Sequence, residues 1–292
     1  DRLPQLYRAA GENRFTRADG TQMPKFVNLD MEEYRDMEIT TELFIRTLNE
    51  PEFKNHAAGI VLQAYLPDSF GVQQSLTEWA RARVKQGGAP IKLRIVKGAN
   101  MEMEMVESAL NHWPLATYNN KQDVDANYKR MVEFGMYPEN IRAVHLGIAS
   151  HNLFELAYAY TLARQNGVTK YFSFEMLEGM ADHVRRAIQE TDEEMVLYAP
   201  VAAKEQFISA IAYLIRRLDE NTAEENFLRY SPNLNVRSEE WEFLKTQFIA
   251  SCKYKDQAGT AAHRFQNRET ENFPQKMGPF YDGEFHNEPD TD

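Results

Sequence analysis

The residues best suited to chemistry in this sequence form one short pattern, Tyr213-x-x-Arg216-Arg217-x-x-Glu220. Positions 213, 216, 217 and 220 follow i, i+3, i+4, i+7 spacing, so on a helix they share one stripe. That stripe lies opposite an apolar face of Phe207, Ile211, Leu214, Ile215 and Leu218. On an arbitrary helix it is a solvated face with an Arg–Glu pair. Turned inward over the mouth of a barrel, two adjacent guanidiniums instead grip a carboxylate through paired, charge-assisted hydrogen bonds. Spacing alone leaves both readings open.

A second pattern is Arg94-Ile-Val-Lys97-Gly98-Ala99. On a strand, Arg94 and Val96 point to one side and Ile95 and Lys97 to the other. Gly98 allows a sharp turn or a close approach of backbone to a ligand. Many strand-to-loop turns contain Lys-Gly, so this is a weak anion-site signal by itself. The histidines offer little to a metal: His145, His151 and His183 lack i, i+4 spacing, and no HExxH cluster occurs. No GxGxxG follows a strand, so a dinucleotide fold of the Rossmann type is unsupported.

The elements that must position these groups alternate. Short apolar or β-branched runs occur at 25–30 (KFVNLD), 59–65 (GIVLQAY), 91–97 (IKLRIVK), 142–148 (RAVHLGI), 171–176 (YFSFEM) and 195–198 (MVLY). Helical periods fill the gaps, at 68–85, 151–166 and, most clearly, 204–218, with another at 3–10. Such alternation means a parallel sheet, open or closed into a barrel. Six strands are visible in the sequence; an eight-stranded barrel needs two more, upstream of residue 1 or too weak to recognise. Polar residues collect at the strand ends where a barrel carries its chemistry: Asp30, Gln63, Arg94 with Lys97, Ser150-His151-Asn152, and Tyr198. Any one of these alone reads as a helix cap or a satisfied buried group. Five in register point to a site. Residues 253–292 are polar, without helical or strand period, and read as a linker or irregular tail after a barrel domain at 1–252.

Composition narrows the field. The chain has 292 residues, 43% hydrophobic and 26% charged, an ordinary balance for a globular core. A net charge of −11 argues against nucleic-acid binding, because no basic excess exists to neutralise phosphates. Cys252 is the single cysteine, which excludes an internal disulfide and fits a reducing compartment. No apolar run approaches the roughly 20 residues of a membrane span, and the first residues, DRLPQLYRAAGE, do not form a signal peptide. The helix at 3–10 opens almost at residue 1, without an initiating Met, as expected of a fragment.

The ordered pieces GIVLQAY, LRIVKGA, DANY, SHN, FEMLEGM, LYAPV and YLIRRLDEN, spread over 25–227, resemble the proline dehydrogenase family. They are most similar to the dehydrogenase domain of bifunctional proline utilization A proteins. The resemblance implies a distorted (β/α)8 TIM-type barrel that holds FAD non-covalently. It implies oxidation of L-proline to Δ1-pyrroline-5-carboxylate, with hydride passing from the ring carbon beside nitrogen to flavin N5. Arg216 and Arg217 then match the pair that grips the proline carboxylate. Tyr213, Tyr198 and Leu177 line the ring pocket, and Asp30 matches an acidic residue at its mouth. Gln63, Arg94, Val96, Gly98, Ala99, Lys121, Ser150 and His151 fall where the family contacts the flavin and its diphosphate, with Glu220 and Phe227 at the FAD edge. The resemblance also implies a quinone acceptor, peripheral contact with the inner membrane from a cytoplasmic location, and an aldehyde dehydrogenase domain farther along the polypeptide.

Three departures stand out. Asn100 and Met101 replace two aromatics in the stretch KGANM, Glu175 stands where a glutamine is common, and the family's first strand, with its active-site lysine, is expected before this sequence begins. The first departure motivates an alternative, a regulatory barrel of the same fold with impaired turnover. A third reading is a barrel enzyme that binds a phosphorylated substrate through Lys97 and Gly98.

Overall fold

A computed structural model describes residues 2–191, 193–222, 224 and 226–264. Helix α1 (Arg2–Glu12) leads into an antiparallel hairpin of β1 (Arg14–Thr16) and β2 (Gln22–Pro24). Six strands then form one curled parallel sheet: β3 (Asn28–Leu29), β4 (Gly59–Gln63), β5 (Ile91–Val96), β6 (Val144–Ala149), β7 (Phe172–Leu177) and β8 (Met195–Tyr198). Each strand lies beside the one before it, the order a (β/α) barrel produces. Helices α2 (Met37–Asn49) and α3 (Ser69–Lys85) follow β3 and β4, and α4 (Met101–Asn111), α5 (Lys121–Gly135) and α6 (Pro138–Ile141) follow β5. After β6 and β7 come α7 (Leu153–Gln165) and α8 (Asp182–Gln189). Beyond β8 run α9 (Phe207–Thr222), α10 (Phe227–Tyr230) and α11 (Glu239–Tyr254).

All six strands expected from the sequence are present, so the fold is half or more of a distorted TIM-type barrel. The run at 25–30 contributes only two paired residues, because β3 pairs with β4 alone and Phe26 is half exposed. The β1–β2 hairpin left no signal in the sequence: its strands are three residues long and bury no face, so no alternation is imposed on them. Strand β4 is the opposite case, buried at every position, and its residues read as a continuous apolar run for that reason. Helix starts obey side-chain capping: Asn120 accepts from the Asp123 N–H, Asn152 from Phe154 at 3.0 Å and Ser238 from Trp241 at 3.2 Å.

The boundary expected at 252 falls inside α11. The main chain beyond that helix is held against the barrel by Arg130, which donates to the carbonyls of Lys255 and Ala258, and by the Tyr118 hydroxyl, which donates to Gly259. Positions 265–292 of the expected tail lie outside the described residues. No described helix is long and apolar enough to cross a membrane. The apolar face of α9 is well exposed among the described residues, with Phe207, Ile208, Leu214 and Ile215 all more than half accessible.

One buried cation organises the lower half of the molecule. Arg83 of α3 donates to the carbonyls of Leu48, Phe53 at 2.6 Å, Lys54 at 2.8 Å, His56 at 3.2 Å and Ala89 at 3.1 Å. These acceptors lie on the connection into β4 and the turn into β5, so one guanidinium ties both strand entries to α3. Arg83→Met keeps the packing stem and orphans those carbonyls. It is expected to cost about 3 kcal/mol of stability, read as a lowered midpoint in urea denaturation.

Candidate active site

Four of the polar residues expected at the strand ends, Asp30, Arg94, His151 and Tyr198, meet in a connected circuit. Arg94, buried on β5, lies with its guanidinium carbon 3.6 Å from the centre of the Tyr198 ring on β8. Such stacking orients a guanidinium while leaving its N–H groups free to bond. Its Nη1 is 3.6 Å from Oδ1 of Asp30, which follows β3 and is largely exposed. Tyr198 is in register with Leu177 at the end of β7. The Leu177 N–H donates to Nε2 of His151 at 3.1 Å, which assigns the ring proton of the neutral imidazole to Nδ1. Burial lowers the His151 pKa, and the positive charge of Arg217 on α9 lowers it further. Arg217 thus acts on the loop that follows β6, and its guanidinium sits 4.8 Å from the ring centre of Tyr213. Of the α9 stripe, Tyr213 and Arg217 are the described members. Its other two members, Arg216 and Glu220, belong to the same helix, with side chains outside the described part of the structure.

The remaining expected residues divide into two groups. Gln63 is paired in register with Val96 and donates through Nε2 to the carbonyls of Met31 at 2.9 Å and Glu32 at 3.2 Å. Its Oε1 is buried with no hydrogen-bond partner among the described residues. Gly98 has φ 123°, and a β-carbon there would lie 2.5 Å from the Tyr65 ring, so only glycine lets the chain pass before Ala99. Ser150 accepts from the Asn152 N–H at 3.1 Å, beside His151. Phe227 opens α10 and is buried against Phe154.

Lys121 stands apart, in a cluster on the helix-facing side of β5. It pairs with Asp125, which is also 2.5 Å from Lys97; Lys97 is 3.0 Å from Glu155, and Glu155 is 2.7 Å from the fully buried Lys129. Burial opposes charge throughout, yet Asp125 and Glu155 outweigh it and raise the Lys97 pKa. Burial and the neighbouring Lys97 lower that of Lys121. Lys97 is therefore committed to two carboxylates, which removes the main support for a phosphorylated-substrate site. Three ammoniums face two carboxylates, leaving one positive charge in excess.

The sequence reading overlooked one partner of this circuit. The Glu175 carboxylate on β7 receives a hydrogen bond from Arg94 Nε at 2.7 Å and another from the Tyr198 hydroxyl at 2.8 Å. Lys92 Nζ lies 2.7 Å from its other oxygen. A charged residue in the middle of an otherwise apolar strand was the available signal. Asn100, at the KGANM departure, is buried and donates to the Glu32 carbonyl at 2.8 Å. Met101 opens α4, and Met103 and Met105 are exposed, because α4 turns that side to solvent.

The sequence model of the family described as Proline dehydrogenase matches residues 2–230. The chain belongs to the proline dehydrogenase family. Among curated members, the chain is 28% identical over 212 residues to the bifunctional protein PutA of Escherichia coli K12, covering 69% of this chain and 15% of that protein. It is 29% identical over 198 residues to the proline dehydrogenase of Deinococcus radiodurans, covering 67% of this chain and 53% of that one. The fold is similar to that of proline utilization A from Corynebacterium freiburgense, with a TM-score of 0.75 and 41% identity over 92% of this chain and 25% of that one. The corresponding protein from Bdellovibrio bacteriovorus, inactivated by N-propargylglycine, gives 0.68 and 40%, over 77% of this chain and 22% of that one. The chain thus spans only a fraction of the length of the relatives it matches.

Proposed function

We propose that the strand-end circuit is the catalytic site of an FAD-dependent proline dehydrogenase that converts L-proline to Δ1-pyrroline-5-carboxylate. The observation that carries this reading is the convergence of Arg217 and Tyr213 with His151, Leu177, Tyr198, Arg94 and Asp30 at one end of a parallel sheet. A carboxylate-gripping cation on one wall and a stacked cation on the other suit a small zwitterion held against a flat ring.

The residues present fit a flavin. Gln63 offers a buried acceptor with no partner among the described residues, suited to a ring N–H. The lysine cluster sets three ammoniums against two carboxylates, an excess of one positive charge that suits a diphosphate. When bound, FAD supplies a two-electron acceptor that takes hydride at N5. Arg94 is the cation placed to favour negative charge on the reduced ring, and Val96, Ala99, Lys121, Ser150, His151, Glu220 and Phe227 complete its seat. Arg216 and Arg217 hold the substrate carboxylate, while Tyr213, Tyr198 and Leu177 bound the pyrrolidine and Asp30 guards the opening. They present the ring carbon beside a neutral nitrogen. Loss of hydride from that carbon would let the nitrogen lone pair form a C=N bond, and release of the N–H proton from the resulting iminium would give the product.

The wider assignment is what the family resemblance implies. Electrons pass to a quinone from a cytoplasmic protein in peripheral contact with the inner membrane, and an aldehyde dehydrogenase domain consumes the product.

Anaerobic titration of the FAD-loaded full-length protein with L-proline is expected to bleach the flavin band. Protein that takes up no flavin would defeat the proposal. Bound flavin that L-proline leaves oxidised would favour the regulatory barrel instead.

A further inference from the structure

Glu175 is among the most tightly enclosed charges of the described residues. Its side chain is 1% exposed and touches both walls of the circuit, Arg94 Nε at 2.7 Å and the Tyr198 hydroxyl at 2.8 Å. Lys92 Nζ stands 2.7 Å from the second oxygen and also donates to the Ser173 hydroxyl at 2.7 Å. Two cations, Arg94 and Lys92, stand at contact distance from this buried carboxylate. The neighbouring strand makes room for it: a β-carbon on Gly147 of β6 would lie 2.1 Å from Glu175 Oε1. The space, both counter-ions and the tyrosine hydroxyl all converge on one side chain. A fixed charge behind the residue that faces a cofactor acts on that cofactor's electronics.

We infer that Glu175 is a positioning residue that sets the reduction potential of the bound flavin, acting through Arg94 and Tyr198. The inference rests on the flavin reading above. The carboxylate fixes the Arg94 guanidinium flat on the Tyr198 ring and offsets its charge, so the reduced, negatively charged flavin is stabilised less than a bare guanidinium would allow. The flavin is held at a lower potential and gives up its electrons more readily to the next acceptor. Lys92 works in the opposite sense, by offsetting Glu175.

The test is the midpoint potential of FAD-loaded full-length protein, measured by anaerobic reductive titration against a reference dye, with flavin content read from absorbance. Glu175→Gln keeps the shape and removes the charge. It is expected to favour the reduced flavin at least tenfold, an upward shift of about 30 mV for a two-electron couple. Lys92→Met removes the opposing cation and is expected to shift the potential downward. Opposite signs distinguish charge from packing, since loosening of the fold has no reason to reverse between the two variants. Unmoved potentials at normal flavin content, or shifts of the same sign, would overturn the inference. Should Glu175→Gln retain no flavin, Lys92→Met decides alone: a downward shift supports the inference and any other result overturns it. Wild-type protein that holds no flavin would sink the proline dehydrogenase reading itself, whereas a normal wild type with unresponsive variants would sink this inference only.

Discussion

Arg217→Met is expected to raise the KM for L-proline about 30-fold or more while the protein keeps its full complement of flavin. The reason lies in what the methionine leaves behind. A carboxylate enclosed beneath α9 loses water when it binds, and removing one charge-assisted partner from such a group costs ~2–5 kcal/mol. At ~1.4 kcal/mol per decade, the lower limit is about thirtyfold. Arg217 has already been placed by the molecule: it lies 4.8 Å from the Tyr213 ring centre and its charge reaches His151 across the site. Met matches the length of the arginine stem, so the apolar packing of the helix is kept. Arg216→Met is expected to behave alike. Steady-state kinetics and the flavin spectrum of each variant are the measurements, and equal loss of FAD in both would contradict a substrate-binding role.

The second large effect is expected at Arg94. Arg94→Met takes a cation from the centre of the circuit, where it stacks on Tyr198 at 3.6 Å and bonds Glu175 at 2.7 Å. Removing one member of a buried ion pair destabilises strongly, because the other charge stays in a medium that cannot solvate it. Lys92 remains beside Glu175 at 2.7 Å and limits the damage. About 3 kcal/mol of stability is expected to be lost, read from denaturant midpoints at unchanged slope. Flavin content should fall at the same time. A stable variant with wild-type flavin would show that Arg94 serves neither the fold nor the cofactor.

Much of the architecture was legible because burial on both faces writes continuous apolar runs into a strand. Residues 59–63 show this, and both they and 91–96 form strands where their sequence places them. The hairpin at Arg14–Thr16 and Gln22–Pro24 was illegible for the converse reason: exposed strands leave side-chain choice free. The places of Gln63 and Arg94 on neighbouring strands were readable from the strand pattern. The site was obscure where function depends on a partner far away in the chain. Nothing within the window around Glu175 announces Lys92, Gly147 or Tyr198; parallel registration across four strands brings them together. Lys97 is the mirror case, a lysine before a glycine that sequence offers to an anion and the fold gives to Asp125 and Glu155.

The two walls of the site are built on unlike foundations. Gln63 and Arg94 rise from strands with neighbours on both sides, whereas Tyr198 ends a four-residue strand that is bonded along one side only among the described residues and is nowhere fully buried. Brief local opening takes least free energy where packing is thinnest. The wall assigned to the amino acid can therefore loosen to admit and discharge small molecules many times while the seat assigned to the cofactor stays shut. Turnover and cofactor retention become separable properties of one barrel.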